Sequence, residues 1–189
     1  VDQGDGVAAW LSAFLSRDLR LLGVTPDFNR PTDPRFTPRS SLAQTAFSDG
    51  FPLLLISNES LADLNARLPP SSPPLLMDRF RPNIVLAGAP RPFAEDTWRR
   101  ITIGDQVMEV VKPCSRCKIP TTDQNTAERG EQPTATLAQY RRRDHVRAPC
   151  GDKVDVFFGQ NVCHFAQGGT VRVNDKVYAM RMRYPWSPK

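Results

Sequence analysis

The stretch WRRITIGDQVMEVVKPCSRC, residues 98–117, indicates how the rest of the chain folds. It contains two runs rich in apolar and β-branched residues, 98–103 and 106–112, separated by Gly104-Asp105. Two such runs joined by a pair of turn-forming residues predict a β-hairpin. The second run leads directly into two cysteines, Cys114 and Cys117.

Short runs of the same kind lie on both sides of this hairpin. We predict strands at residues 52–57, 83–88 and 153–158, and two more near the end of the chain, where Asn174-Asp175 separates apolar runs at hairpin distance. Many short strands with turns between them argue against a doubly wound parallel sheet. They predict a mixed α+β, mainly β fold, in which a closed or nearly closed β-barrel carries two to four peripheral helices.

Three segments have the pattern of helices. Residues 7–19 carry apolar side chains at helical spacing, residues 58–68 can be capped by Ser57 or Asn58, and residues 134–142 follow a proline. The proline-punctuated residues 25–46 predict a long loop.

Length and composition restrict the class of protein. A chain of 189 residues that is 40% hydrophobic can form one domain with a substantial core. Four cysteines are too few for a disulfide scaffold, and two histidines are too few for a His-rich metal site. No apolar run reaches membrane length, so we expect no membrane contact from this segment. The chain begins at Val1 without a methionine, and we expect it to be a piece of a longer polypeptide.

The net charge of +5 favours anionic partners in general. The one dense basic run, Arg141, Arg142 and Arg143 with Arg147, has no interleaved aromatic residues on which bases would stack. We interpret it as a solvated helix end with cations near its C-terminus, and we expect no stable nucleic-acid partner.

The pair Cys114 and Cys117 allows three interpretations: half of a zinc site, a thioredoxin-like redox pair, or two packing thiols. Zinc would need two more ligands from Cys150, Cys163, His164 or His145, which do not form a second short-spaced pair with converging side chains. A redox pair would need a helix after the first cysteine, but a proline and β-branched residues follow. Lys112, Arg116 and Lys118 surround the cysteines and favour a thiolate, which would act as a nucleophile or as a ligand for a soft metal.

Three further places are candidate contacts for a ligand. Arg81 and Asn83 stand at the entry of a strand, where a guanidinium can bind phosphate, although a lone arginine more often neutralises a nearby carboxylate such as Asp78 or Glu95. The segment 47–52 forms a turn before a strand. Gly159 breaks a strand end, where the backbone either approaches a ligand or forms a bulge.

Taken together and in this order, these segments resemble the MOSC domain family, in its subgroup of amidoxime-reducing proteins. The matching blocks are residues 47–52 (FSDGFP), 60–65 (SLADLN), 80–85 (FRPNIV), 103–105 (IGD), 112–117 (KPCSRC), 121–123 (TTD), 158–161 (FGQN) and 171–175 (VRVND). The resemblance implies a MOSC-type closed β-barrel, related to the pyruvate-kinase barrel, at residues 45–182. Residues 1–44 would then be the end of the family's N-terminal region plus a loop, and residues 183–189 a tail or linker.

The resemblance also implies a molybdenum cofactor, Mo-molybdopterin, and the residues that contact it. Carried over residue by residue, Cys117 is the catalytic metal ligand, Ser115 and Arg116 contact the cofactor, and Arg81 contacts its phosphate or pterin with support from Asn83. The other implied contacts are Asp49, Gly50, Phe51 and Asn161, the last at a position where the mammalian proteins have tyrosine. In this family the cofactor phosphate is held by residues of the N-terminal barrel region. We therefore expect this chain alone to bind the cofactor weakly or not at all.

The function implied by the resemblance is a molybdenum-dependent reductase of N-hydroxylated compounds such as amidoximes and hydroxylated nucleobases. Oxygen is removed at molybdenum in a two-electron step, and the electrons come from a cytochrome b5-like or [2Fe–2S] ferredoxin-like domain or protein, with its reductase. The alternative is a sulfur carrier like the C-terminal domain of molybdenum cofactor sulfurase, which uses a cysteine persulfide and follows a pyridoxal-phosphate lyase domain. Reduced thiols favour the cytoplasm, with the mitochondrion as the other compartment.

Overall fold

The computed structural model describes residues 1–37, 43–143, 155–165 and 168–181. The α-helices in these ranges are α1 (Asp5–Leu15), α2 (Asn58–Ala66) and α3 (Thr134–Tyr140). The strands are β1 (Leu53–Ser57), β2 (Ile84–Leu86), β3 (Trp98–Ile103), β4 (Gln106–Ser115), β5 (Arg142–Arg143), β6 (Asp155–His164) and β7 (Val177–Arg181). The prediction of a mainly β, mixed α+β fold is confirmed.

Six strands form one curled sheet in the order β2-β1-β6-β4-β3-β7, and the short β5 pairs with β6. Only β1 and β2 are parallel, while the other pairs are antiparallel. The described residues therefore form a half-barrel with β2 and β7 at its edges. Closure into a full barrel stays a prediction.

The predicted hairpin at Gly104-Asp105 is confirmed, because β3 and β4 pair in antiparallel register up to Ile103 opposite Gln106. β4 is longer than predicted and continues through Pro113 to Ser115, where its partner β6 still pairs with it. Two register shifts along this pair accommodate the proline, which has no backbone donor. As a result, the chain leaves the sheet immediately before Arg116 and Cys117.

β6 also exceeds its predicted length, and residues 153–154 of the prediction lie outside the described ranges. Gly159 does not end the strand. It has φ +79° inside β6, and a Cβ there would lie 2.7 Å from Ile56 Cγ1 and 3.0 Å from the Leu55 carbonyl oxygen. The glycine thus permits the close approach of β6 to β1, which favours the bulge over a ligand contact.

The helices are shorter than predicted. α2 begins after Ser57, whose Oγ accepts a hydrogen bond from the Ser60 backbone N–H (3.2 Å), and it ends at Ala66. α1 ends at Leu15, because Ser16 is left-handed (φ 52°) and Ser12 Oγ accepts from the Leu19 backbone N–H (3.0 Å). Only Ala8 of α1 is buried.

The predicted long loop is confirmed over its described residues, and one isolated bridge joins Pro31 to Gln44. At the C-terminal end, the described residues contain one strand after β6, not two. A turn forms at Asn174-Asp175, but the residues just before it are exposed and do not form a strand. Val173, for example, is 92% exposed. The expected second hairpin is therefore wrong.

The prediction that the basic residues at the end of α3 are solvated is also wrong for the first of them, Arg141. The Arg141 side chain is only 14% exposed, pairs with Asp96 at 2.7 Å, and lies over the Phe93 ring at 4.2 Å. Burial against an aromatic ring and a carboxylate makes it part of the interior. Arg147 lies outside the described residues.

Three clusters of buried residues form the core of the described part of the chain. One contains Leu55, Ile101 and Val162, a second contains Leu64, Phe80 and residues of α3 and β6, and a small third cluster includes Phe51. The Phe80 and Phe158 rings lie 4.4 Å apart between centroids. This contact fixes the segment that carries Arg81.

Candidate functional site

A cavity of about 550 Å³ lies where four chain segments meet at the end of β4. All the site residues predicted from the sequence line it: Asp49, Gly50, Phe51, Arg81, Asn83, Ser115, Arg116, Cys117 and Asn161. These residues come from four separate parts of the chain, and the fold brings them to one place.

Cys117 is an exposed, free thiol on the wall of this cavity. It follows the end of β4 by two residues, and its Sγ accepts a hydrogen bond from the Ile119 backbone N–H (3.4 Å). A backbone donor stabilises a thiolate, the form that binds metals.

Cys114 lines the same cavity as Cys117 but is less exposed. Burial raises the pKa of its thiol, and the neighbouring Arg116 offsets this only in part. The expectation that the surrounding cations favour a thiolate is therefore wrong for Cys114, since desolvation outweighs them. Cys114 Sγ accepts a hydrogen bond from Arg116 Nη1 (3.1 Å).

Arg116 connects the cysteine segment to the rest of the cavity wall. Its backbone N–H donates to the Val156 carbonyl oxygen (2.8 Å), and Nη2 donates to the Phe80 carbonyl oxygen (3.0 Å). Its Nε is buried and has no partner among the described residues. A buried N–H without an acceptor is costly, so an anionic group beside it would be stabilised.

Arg81 has a left-handed backbone (φ 55°), which is unusual for a residue other than glycine. Its side chain is exposed and forms no ion pair in the described part of the chain. Glu95, one alternative partner, is buried and accepts hydrogen bonds from Ser57 and Ser60 (2.6 Å from Ser60 Oγ). The arrangement favours a guanidinium that is available to a ligand over local neutralisation.

Asn83 acts on the backbone of β1. Its Oδ1 accepts from the Leu54 N–H (2.8 Å), and its own N–H donates to the Leu54 carbonyl oxygen (2.9 Å). These two bonds extend the pairing of β1 and β2 by one residue. Asn83 therefore fixes the position of the wall next to Arg81, in agreement with a supporting role.

The turn with Asp49, Gly50 and Phe51 is held from the long loop. Arg30 Nη1 donates to the Ala46 and Ser48 carbonyl oxygens, both at 2.9 Å. Phe51 is buried, whereas Asp49 and Gly50 are exposed to the cavity. Sequence reasoning did not identify the role of Arg30, because the contact spans a loop without regular structure.

Lys112 is a cavity residue to which the sequence assigned no site role. Its Nζ lies 4.7 Å from the centroid of Phe36 and 5.7 Å from that of Phe51. Cation–π contacts of this kind hold the charge beside the cavity. The lysine was visible in the sequence as one cation among several, but its two aromatic partners come from distant segments.

Asn161 is half-buried in β6, and its Nδ2 donates to the Pro113 carbonyl oxygen (3.4 Å). It thus ties β6 to the end of β4. Cys114, which the sequence analysis considered together with Cys117, also lines the cavity, and the lining residues that sequence reasoning did not select are Phe47, Ser48, Leu53, Leu54, Phe80 and Ile119. Most are apolar, and apolar residues in a sequence give no signal that separates a cavity wall from a core.

Within the described ranges, no three His, Cys, Asp or Glu side chains are grouped so as to hold a metal ion. The zinc interpretation also invoked His145 and Cys150, which lie outside those ranges. No described helix is both long enough and apolar enough to cross a membrane.

Comparison with known proteins identifies related chains. A family model described as the MOSC domain matches residues 43–178. Human mitochondrial amidoxime-reducing component 1 is 37% identical over 186 residues, which covers 95% of this chain and 52% of that protein. The rat mitochondrial amidoxime reducing component 2 is 36% identical over 187 residues, covering 95% of this chain and 53% of that protein.

Zebrafish (Danio rerio) molybdenum cofactor sulfurase is 34% identical over 158 residues, which covers 75% of this chain but 18% of that protein. The chain thus spans about half the length of the amidoxime-reducing relatives and a smaller part of the sulfurase.

Proposed function

Because this chain belongs to the MOSC domain family, we propose that its cavity binds the molybdenum cofactor and that it forms the cofactor domain of a reductase of N-hydroxylated compounds. One observation carries the proposal: the exposed Cys117 thiol lines one cavity with Arg81, whose guanidinium forms no ion pair within the described residues, and with Arg116, whose buried Nε has no partner there. A soft thiolate beside two guanidinium groups suits a soft metal and an anionic organic group.

The residues present fit such a group. Cys117 supplies one sulfur ligand, and Arg81 and Arg116 supply cationic donors for phosphate or polar pterin atoms. The cavity of about 550 Å³ has the size of an ordinary cofactor site. Asn83 and Asn161 hold the walls, and Asp49, Gly50 and Phe51 form the turn that faces the cysteine segment.

When bound, the cofactor would supply the two-electron chemistry that removes oxygen from the substrate. The chain's own residues bind, orient and exclude water. The Ile119 backbone N–H donates a hydrogen bond to Cys117 Sγ and orients it, while the side chains of Phe47 and Ile119, 68% and 50% exposed, place apolar surface at the cavity. Apolar walls of this kind suit small organic substrates more than highly charged ones.

Two amidoxime-reducing relatives support the substrate class by their names. We propose small N-hydroxylated compounds as substrates and a separate electron-transfer domain or protein, cytochrome b5-like or [2Fe–2S] ferredoxin-like, as the donor. We further propose residues 45–182 as the MOSC domain, closed into a full barrel. A reducing compartment suits the free thiols, and the relatives' names add the mitochondrion to the cytoplasm as a candidate.

The test substitutes Cys117→Ala in the full-length polypeptide that contains this chain, with Cys163→Ala as the matched control. Cys163 is buried in β6 and does not line the cavity. We expect Cys117→Ala to lose most of the bound molybdenum and at least about 100-fold of the N-reductive activity, since one metal ligand is removed. Molybdenum content and activity equal to those of the control would contradict the proposal.

A second candidate function is that of a sulfur carrier, favoured by the 34% identity to the zebrafish sulfurase. In that case Cys114 or Cys117 would carry a persulfide, and no electron donor would be required. Mass spectrometry of the purified protein distinguishes the two, because a persulfide adds one sulfur atom, about 32 Da, to a cysteine peptide.

A further inference from the structure

Two chain segments bring Arg81 and Cys117 to the cavity, and the sheet does not join them directly. Arg81 follows the 3-10 helix Met77–Phe80 and precedes β2, which pairs with β1. Cys117 follows β4, which pairs with β3 and β6, and precedes the 3-10 helix Ile119–Thr121. Two strands, β1 and β6, lie between β2 and β4 in the sheet, so contacts made directly between the two segments can add to what fixes the distance between Arg81 and Cys117.

An ion pair connects these segments behind the cavity. Arg79 Nη2 lies 2.7 Å from Asp123 Oδ2, and Arg79 Nη1 lies 3.5 Å from the Pro120 carbonyl oxygen. The Arg79 side chain is only 16% exposed, and Asp123 is 36% exposed. Neither residue lines the cavity.

Hydrogen bonds in the opposite direction complete the connection. Arg116 Nη2 donates to the Phe80 carbonyl oxygen (3.0 Å), and Gln124 Nε2 donates to the Asp78 carbonyl oxygen (3.1 Å). Each segment thus donates to the other, so that a shift of one must move the other.

Both carboxylate oxygens of Asp123 accept hydrogen bonds. Its Oδ1 accepts from the backbone N–H groups of Asn125 (2.9 Å) and Thr126 (3.1 Å), which leaves Oδ2 for Arg79. These backbone bonds, with the Arg79 charge, lower the pKa of the Asp123 carboxyl, so that it is ionised at neutral pH.

The backbone conformation of Arg81 links these contacts to the cavity. Its positive φ of 55° is unfavourable for a side chain with a Cβ and persists only where surrounding contacts impose it. The Arg81 N–H donates to the Asp78 carbonyl oxygen (2.9 Å), the same oxygen that accepts from Gln124. The contacts from the cysteine segment thus reach the residue that holds the strained turn.

We propose that Arg79 and Asp123 are positioning residues that set the place of Cys117 relative to Arg81, through an ion pair behind the cavity. The inference rests on the proposed function in taking Cys117 and Arg81 as the two ends of the cofactor site. It assigns a role to the 121–123 block, which the sequence resemblance matched without one.

The first test needs no cofactor and compares hydrogen exchange in this chain before and after substitution. Asp123→Asn keeps an oxygen for the two backbone N–H groups and removes only the charge that pairs with Arg79. Arg79→Gln removes the other partner. We expect each variant to speed exchange about fivefold or more in residues 77–83 and 116–124 together.

The matched control is Asp63→Asn, which removes an ion pair of the same length, 2.7 Å, to Arg67 within α2, where the Asp63 side chain is 18% exposed. It should leave both segments unchanged. Faster exchange confined to residues 119–126 in Asp123→Asn would mean that the carboxylate serves only its own turn, and it would overturn the inference.

Two further comparisons separate positioning from general stability. Arg79→Lys keeps the charge, so the amide hydrogens of residues 116–124 should exchange more slowly in this variant than in Arg79→Gln. Equal exchange rates in the two variants would contradict a role for the ion pair. The double variant Arg79→Gln/Asp123→Asn should exchange no faster than the single variants, because both remove one interaction. Additive effects would overturn the inference.

The second test uses the full-length polypeptide with its cofactor. We expect Asp123→Asn to reduce molybdenum content or kcat about tenfold with KM for substrate little changed, and Asp63→Asn to change neither. Values for Asp123→Asn equal to those of Asp63→Asn would overturn the inference. Wild-type protein without molybdenum would instead contradict the proposed function, and the exchange experiment would still decide the role of Arg79 and Asp123.

Discussion

At the scale of single residues, the two cysteines of one short motif have different surroundings. Cys117 is exposed and receives a backbone hydrogen bond, whereas Cys114 is turned toward Arg116 and has a raised thiol pKa because it is buried. The three residues of separation do not reveal this difference. It arises because Cys114 still belongs to β4, while Cys117 lies beyond the strand end.

Cys114 therefore has a role that can be tested through its hydrogen bond from Arg116 Nη1 (3.1 Å). Cys114→Ala leaves that donor without an acceptor and should reduce the free energy of unfolding by about 1–2 kcal/mol. Cys114→Ser retains an acceptor and should lose less. Urea denaturation measures both, and equal losses would show that packing alone matters at this position.

At the scale of elements, the packing of β6 on β1 shapes the cavity wall. Gly159 allows the strands to approach, and Asn161 follows two residues later in the same strand. Any displacement of β6 at Gly159 would move Asn161 away from Pro113 and from the cavity.

Gly159→Ala should reduce the free energy of unfolding by about 2–4 kcal/mol, because its Cβ would meet both Ile56 and the Leu55 backbone at positive φ. Gly88→Ala is the matched control. Its φ is +82°, but a Cβ there meets nothing within 4 Å, so only the backbone cost of about 1 kcal/mol applies. Thermal or urea unfolding of both variants checks the difference, and similar losses would contradict the close-approach argument.

The boundaries of elements were predictable where local signals suffice. β3 matches its predicted span, and the hairpin at Gly104-Asp105 formed as expected, since alternation and turn residues act locally. The lengths of β4 and β6 were not predictable. The end of β4, which contains a proline that alone would end a strand, pairs with β6 across more than forty positions. Residues 160–162 of β6 also pair with β1, which lies still further away in the sequence.

At the scale of the whole molecule, three wholly or partly buried acids, one tyrosine and two cysteines, bear on stability at high pH. Burial raises the pKa of Tyr140 to about 12 and of Cys163 to about 11, and it also raises the pKa of Cys114. A group with a raised folded-state pKa stabilises the fold below its unfolded pKa and loses this contribution as the pH rises through its folded pKa.

We therefore expect the free energy of unfolding to fall from about pH 9 upward, most steeply at about pH 10–11, where these groups are ionised in the unfolded chain but still protonated in the fold, and to level off near pH 12. Tyr140→Phe should be neutral or stabilising at pH 7, because the buried hydroxyl, although near Asp63, makes no well-aligned hydrogen bond among the described residues, and it should flatten the loss above pH 10. Chemical denaturation at several pH values tests this. An unchanged slope in Tyr140→Phe would place the alkaline loss elsewhere.

The amino-acid sequence by itself determined the class of fold, the hairpin next to the cysteines, the family, and the residues to consider for the site. These follow from local chemistry: side-chain alternation, turn residues and short motifs act over a few positions. The sequence did not determine which cysteine is exposed, which cation is held by aromatic rings, or that Arg79 reaches Asp123. Those were decided by the tertiary structure, because each depends on contacts between segments that only the curled sheet brings together.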